Sequence, residues 1–284
     1  MIFLEIIEKF TKGKCPNRNS DDCLYLGENF VAVIDGVTAK GHFTLNNKST
    51  GCLAAELVTQ ALDQLDADAD LDCILHHLEK VFQDFYHSHT FEEDKQQFGP
   101  QAVMVLYSQA KRCIYLIGDC QCLVDGVHYT APKASDLILA QLRSLLLHIT
   151  QEEQGFNQIT DLAPKDLQAA RQHIEGIILR STCFANKNCP TWGYAVINGE
   201  KIPHELVQVI ALDSGSHEIV LASDGYPQLL PTLQASEAAL QELLHSDPQC
   251  ADANPQTKGL ACGAESFDDR SYIRLSIPAL SPNQ

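Results

Sequence analysis

The residues of this chain best placed to do chemistry are aspartates at the ends of apolar runs. Val33-Ile34-Asp35-Gly36 and Ile219-Val220-Leu221-Ala222-Ser223-Asp224-Gly225 each lead aliphatic residues straight into Asp-Gly, and Phe267-Asp268-Asp269-Arg270 opens the apolar run 271–277. Such runs read as buried strands, with the glycine freeing the backbone to turn where the strand stops. Each string therefore holds a carboxylate at a strand's mouth, and three could meet at one sheet end. Carboxylates that close repel one another, and a hard divalent cation with oxygen ligands relieves the repulsion. Such ions keep exchangeable waters, whereas thiolate and imidazole suit softer metals, so cysteine and histidine are not expected as ligands.

The elements that must position these carboxylates follow from periodicity. Residues 1–9 and 23–35 read as strands around the polar turn 12–20. Apolar residues then recur at helical spacing over 49–65, with Ser49 or Thr50 as N-cap, and again over 70–88. Strands are predicted at 101–108, 112–118 and 121–124, the last closed by Asp125-Gly126, an Asp-Gly read as a simple turn. Residues 134–149 and 164–182 are helical in pattern, a helical insertion in a β-rich chain. Strands return at 193–198, where Asn198-Gly199 predicts a hairpin turn, then at 205–212 and 217–223. A helix at 233–245, a loop over 246–266 and a final strand complete the chain. Strand groups with helices interposed in pairs predict an α+β fold with antiparallel sheets.

Composition narrows the function. The 284 residues suit one large domain, and the 45% apolar fraction is ordinary for a globular fold. A formal charge of -17 argues against nucleic-acid or anionic-membrane partners. The eleven cysteines are odd in number and scattered, and read as reduced thiols of a cytoplasmic protein. The N-terminus lacks the pattern of a signal peptide, and no apolar stretch is long enough to span a bilayer. The histidines of 76–77 and 87–89 and the pairs Cys120/Cys122 and Cys183/Cys189 lack metal-site spacing, and Ser223 lacks a nucleophile-elbow context.

In chain order the acidic pair Asp21-Asp22, Asp35-Gly36, Gly118-Asp119, Ser223-Asp224-Gly225 and Asp268-Asp269 before a strand resemble the motifs of the metal-dependent type 2C (PPM-type) serine/threonine protein phosphatases, in a bacterial-style form. The likeness runs over nearly the whole chain. It implies a four-layer α-β-β-α sandwich of two antiparallel sheets, a single domain over 1–284, with residues 130–205 as a helical flap. It also implies two Mn²⁺ or Mg²⁺ ions at one edge of the sandwich. The position matching Asp35 bridges the ions and the carbonyl of Gly36 adds a ligand; Asp224 and Asp268 complete the first ion. Asp22 matches a residue that holds metal-bound water, Asp21 stands where many members have Glu and joins the implied metal-site residues, and Asp119 matches a residue that helps hold a third ion. Two divalent ions about 3.5–4 Å apart activate a bridging water for in-line attack on a phosphoryl group, without a covalent phospho-enzyme.

Some positions depart from that pattern. The place of the phosphate-binding arginine, five residues before Asp22, is Asn17, which makes Arg18 the first candidate and Lys14 the second. Val37-Thr38-Ala39 follows Asp35-Gly36 without a histidine, and Cys120-Gln121 replaces Ser-Arg after Gly118-Asp119. The resulting expectation is a cytoplasmic phosphomonoester hydrolase acting on phosphoserine or phosphothreonine in phosphoproteins. The alternatives are a pseudophosphatase serving as a binding module and a hydrolase of small phosphorylated metabolites.

Overall fold

The computed structural model describes residues 4–16, 18–38 and 40–280. The chain opens with strands β1 (Glu5–Lys12), β2 (Cys23–Leu26) and β3 (Phe30–Gly36), then helices α1 (Thr50–Leu62) and α2 (Leu71–Ser88) and the single turn α3 (Lys95–Phe98). Strands β4 (Ala102–Ser108), β5 (Cys113–Ile117), β6 (Gln121–Val124) and β7 (Val127–Thr130) follow, then the long helices α4 (Ala134–Gln154) and α5 (Pro164–Ser181). Strands β8 (Val207–Ala211) and β9 (His217–Ala222), helix α6 (Leu233–Ser246) and strand β10 (Arg270–Ile277) complete it.

The strands form two five-stranded antiparallel sheets, ordered β1-β10-β9-β6-β7 and β2-β3-β4-β5-β8. Because strand side chains alternate between faces, each sheet contributes to two cores. Val31, Val33, Val103, Val105, Ile114 and Leu116 of the second sheet meet Cys122, Ile219, Leu221, Ile273 and Leu275 of the first in a layer between the sheets. The intervening residues Ala32, Ile34, Met104 and Leu106 face outward and are covered by α1 and α2 through Ala54, Val58, Ile74, Leu78 and Phe82. On the outer face of the first sheet, Leu123, Val220 and Tyr272 pack with Tyr226, Leu229 and, from α6, Leu233. The architecture has the antiparallel α+β character that the sequence patterns predict, arranged as the sandwich between helices that the resemblance implies.

Helix α1 is N-capped by Ser49, one of the two predicted candidates, which accepts from the Cys52 amide at 3.1 Å, and α2 is capped by Asp70. The predicted strand 23–35 is two strands, because Gly27 to Asn29 turns the chain back and Leu24 pairs with Val33. Of the predicted strand 1–9, residues 1–3 lie outside the described residues. Asp125-Gly126 is a hairpin turn with both residues at positive φ (50° and 83°), and it leads into β7, a strand that sequence patterning misses. Helix α4 runs on through the polar stretch after residue 149, which the periodicity leaves outside the helix, and stops at Gly155 in the left-handed conformation.

The predicted strand 193–198 is a correction. It forms only isolated bridges, Tyr194 to Ala185 and Ile197 to Ala102. The side chain of Asn186 takes the place of a strand partner, donating to the Val196 carbonyl at 2.9 Å while accepting from the Val196 amide at 3.0 Å. Asn198-Gly199 consequently makes a turn with Gly199 at φ +88°, but no hairpin. All eleven cysteines are free thiols.

Candidate active site

Strand register collects the aspartates. In the second sheet Cys23 pairs with Ile34, Gly36 with Ala102 and Met104 with Ile117, so the start of β2, the end of β3, the start of β4 and the end of β5 share one edge. In the first sheet Ala222 pairs with both Tyr272 and Gln121, so the end of β9, the start of β10 and the start of β6 share an edge. Gly118-Asp119-Cys120 carries the chain from β5 in one sheet directly to β6 in the other, which makes these the same end of the sandwich. Asp22, Asp35, Asp119, Asp224 and Asp268 all emerge there. Alternation along β3 places Asp35 on the face of Val31 and Val33, between the sheets.

Two glycines permit this convergence, for a reason other than turning. Neither Gly36 nor Gly225 has positive φ. A Cβ on Gly36 would collide with the Gly51 carbonyl at the start of α1, and one on Gly225 with the Asp269 carbonyl. Each Asp-Gly thus marks a place where two backbones touch.

The electrostatics are those of a crowded acidic site. Asp22 is 8% exposed and its carboxyl is pushed well above the usual range, by burial first and then, against a hydrogen bond from Ser223, by Asp268, Asp269 and Asp224. Burial followed by Asp22, Asp224, Asp268 and Asp119 does the same to Asp35. Asp224 is exposed as a whole residue, yet its carboxyl is raised to about 7, by desolvation first and then by Asp119 and Asp268, against the opposing charges of Lys258 and Lys133. Among the described residues no hydrogen-bond donor reaches the carboxylate of Asp35 or Asp224.

The remaining acids have partners. Asp268 accepts from Lys14 at 2.7 Å on Oδ1 and from Lys258 on Oδ2. Burial alone would raise its pKa, but Lys258 and Lys14 hold it at about 2. Asp119 pairs with Lys133 at 3.0 Å, and the Lys133 ammonium lies 5.2 Å from the ring centroid of Tyr194. Asp21 accepts from Ser49 at the N-terminus of α1, and the charges acting on it are Asp269, Lys14 and Arg18. Asp269 is a backbone tie, accepting from the amides of Lys14 at 2.7 Å and Asp21 at 3.2 Å.

Of the two phosphate-binding candidates, Lys14 points into the cluster, donating also to Thr38 Oγ1 at 2.9 Å, while Arg18 is exposed. Asn17 and Ala39 lie outside the described residues. Sequence reasoning missed four contributors. Lys133 and Lys258 gave no signal, lying in stretches read as flap and loop. Ser223 is fully buried, donates to Asp22 Oδ2 at 2.7 Å and accepts from the Ser271 amide at 2.9 Å. Gln121 donates to the carbonyls of Ser223 and Tyr226 at 2.9 and 2.8 Å, clamping the turn that carries Asp224. Its position directly after Gly118-Asp119-Cys120 was the only available hint.

The donor set is chemically suited to Mn²⁺ or Mg²⁺, being all oxygen, anionic and mutually repulsive. Among the described residues, however, no three Asp, Glu, His or Cys side chains stand together as a ready-made metal-ligand set. Ammonium groups already engage Asp268 on both oxygens and Asp119 on one.

No protein-family model matches the chain, and no curated protein matches it. Solved structures of similar arrangement include the Mycobacterium tuberculosis serine/threonine phosphatase PstP/Ppp, at 15% identity and TM-score 0.46 over 97% of this chain and 99% of that one. The catalytic domain of PstP in complex with two manganese ions gives 14% identity and TM-score 0.49 over 98% and 100%. The S. agalactiae serine/threonine phosphatase gives 15% and 0.48 over 97% and 100%. Among the described residues no helix is long and apolar enough to cross a membrane.

Proposed function

We propose that this chain is a Mn²⁺/Mg²⁺-dependent phosphomonoester hydrolase that acts on phosphoserine or phosphothreonine in proteins of the cytoplasm. The observation that carries the reading is the arrival of Asp22, Asp35, Asp119, Asp224 and Asp268 at one sandwich end from both sheets, with carboxyls so crowded that Asp22, Asp35 and Asp224 are pushed toward protonation. Asp22, Asp35 and Asp224, with the Gly36 carbonyl, would hold the ions, joined by Asp268 and Asp119 when their lysines yield. Divalent ions held there supply Lewis acidity toward water and positive charge toward phosphoryl oxygens. Ser223 keeps Asp22 oriented, Gln121 fixes the Asp224 turn, and Lys14 with Thr38 offers hydrogen-bonding groups beside Asp268 for an incoming phosphate.

The flap supports a protein substrate. Helices α4 and α5 pack on each other and on the loop after α6, where Arg143 donates to the carbonyls of Gln249 at 2.8 Å and Gln256 at 3.2 Å. Arg171 donates to the Thr257 carbonyl at 2.7 Å, next to Lys258. Lys40 is exposed as a whole residue, and its pKa is brought down to about 8 by desolvation of the ammonium and then, against Asp136, by Lys133, Arg171 and Lys258, so cations gather beside the acidic site in a chain of net charge -17. A phosphorylated, acidic segment would be attracted there.

The test is hydrolysis of a chromogenic aryl phosphate with and without Mn²⁺, Mg²⁺ and chelator, followed by a phosphopeptide panel against free phospho-metabolites. Activity that needs added metal and favours phosphopeptides is the expected result. Full activity in excess chelator overturns the metal reading, and preference for metabolites overturns the substrate class.

A further inference from the structure

Asp268 is gripped from two directions by segments far apart in sequence. Lys14, from the connection between β1 and β2, donates to Oδ1 at 2.7 Å and lies 3.6 Å from Asp269 Oδ2. Lys258, from the loop between α6 and β10, donates to Oδ2. Lys14 is anchored further by Thr38, just beyond β3. Its side chain is 18% exposed, whereas that of Lys258 is 38% exposed. These are two full positive charges on one carboxylate, at the sandwich end where the other aspartates emerge.

We propose that Lys14 and Lys258 are resident counter-ions of Asp268, which a divalent cation must displace before Asp268 can serve it. The proposal rests on the metal-dependent reading above. Two ammonium groups and a divalent ion cannot share one carboxylate without strong like-charge repulsion. Asp268 and its neighbour Asp269 are therefore already charge-compensated by lysines of the same chain, and metal uptake at Asp268 is an exchange of cations. The displaced ammonium groups stay tethered beside Asp268, where they are free to donate to an anionic phosphoryl group. Lys258 is the member that moves, because its stem is the more exposed and its contact is Asp268 alone among the described acids.

The experiment is calorimetric titration of the metal-free full chain with Mn²⁺, comparing wild type, Lys258→Met and Lys258→Arg, with melting temperatures recorded in chelator. Methionine keeps an apolar stem and removes the charge; arginine keeps the charge. Tightening of Mn²⁺ binding by about tenfold in Lys258→Met, with a lower melting temperature in chelator and near-wild-type affinity in Lys258→Arg, is the expected result. Unchanged or weaker Mn²⁺ binding by a folded Lys258→Met overturns the counter-ion role while leaving the metal reading intact. Failure of all three proteins to bind Mn²⁺ at millimolar concentration overturns both. Lys14→Met should shift affinity in the same direction with a larger loss of metal-free stability, and a folded Lys14→Met with weakened Mn²⁺ binding counts against the exchange.

Discussion

The hydroxyl of Ser223 donates to Asp22 Oδ2 at 2.7 Å, joining residues 201 apart in sequence across the two sheets. The same oxygen accepts from the Ser271 amide at 2.9 Å, so one buried atom ties β9, β10 and the approach to β2 together. Ser223→Ala would leave a buried carboxyl and a buried amide without their partner, at a cost of about 1–3 kcal/mol. Denaturant unfolding should show that loss. Mn²⁺ affinity should fall by about 10–100-fold, as expected when the group orienting a ligand is removed. An unchanged unfolding midpoint and unchanged affinity would show the tie to be incidental.

Asp35→Asn and Asp224→Asn each remove one charge from a site where acids repel one another. Turnover of an aryl phosphate at saturating Mn²⁺ should drop by more than the roughly 10–100-fold that loss of a supporting partner costs. Melting temperature in chelator should hold or rise, because the repulsion is relieved. Near-wild-type turnover in either variant rules that residue out of the metal site.

Gly36→Ala and Gly225→Ala should be severely destabilised, since each new methyl meets a backbone carbonyl that cannot move without shifting a strand or helix. Gly176, exposed in the middle of α5 with open space around it, is the matched control. Gly176→Ala should gain about 0.5–1 kcal/mol. Paired thermal melts check both directions, and a Gly36→Ala protein as stable as wild type would mean that β3 and α1 do not approach as described.

A surface triad gives a pH dependence remote from the site. His217 Nδ1 pairs with Asp125 Oδ2 at 2.8 Å and Nε2 with Asp213 Oδ1 at 3.1 Å. Hydrogen bonding to Asp125 raises the His217 pKa above 6.5, and the same contact lowers that of Asp125 below 3.8. A raised histidine pKa stabilises fully below the unfolded value of 6.5, and the effect is lost as pH rises through the folded value. The lowered aspartate stabilises above 3.8 and loses the effect as pH falls through its folded value. The pair thus contributes most between about pH 4 and 6.5. His217→Asn should lower the melting temperature more at pH 5.5 than at pH 8.5, with a difference that shrinks in high salt. Equal shifts at both pH values contradict the assignment.

The legible parts of the fold were those with strong local signals. Ser49 caps the first helix as its pattern predicts, and the strands leading to Asp35 and Asp224 are apolar runs buried for most of their length. The misread parts answer to distant partners. Residues 193–198 look like a strand, yet the Asn186 amide meets their backbone. β7 is short and largely exposed, so no apolar pattern announces it.

Residue types and order determined that acids would stand at strand mouths, because an apolar run ending in Asp-Gly carries that information locally. Which acids would be left without a counter-charge was decided only by the tertiary structure. Lys14 and Lys258 reach Asp268 across 254 and 10 residues, and Lys133 reaches Asp119 from the start of α4. An ion pair depends on where two long side chains end in space, and spacing along the chain does not encode that. Register likewise turned Asp269, next to a candidate ligand, into a backbone tie and sent Asp21 to the helix end. The carboxylates were written in the sequence; their division between open site and lysine-held pairs was settled by packing.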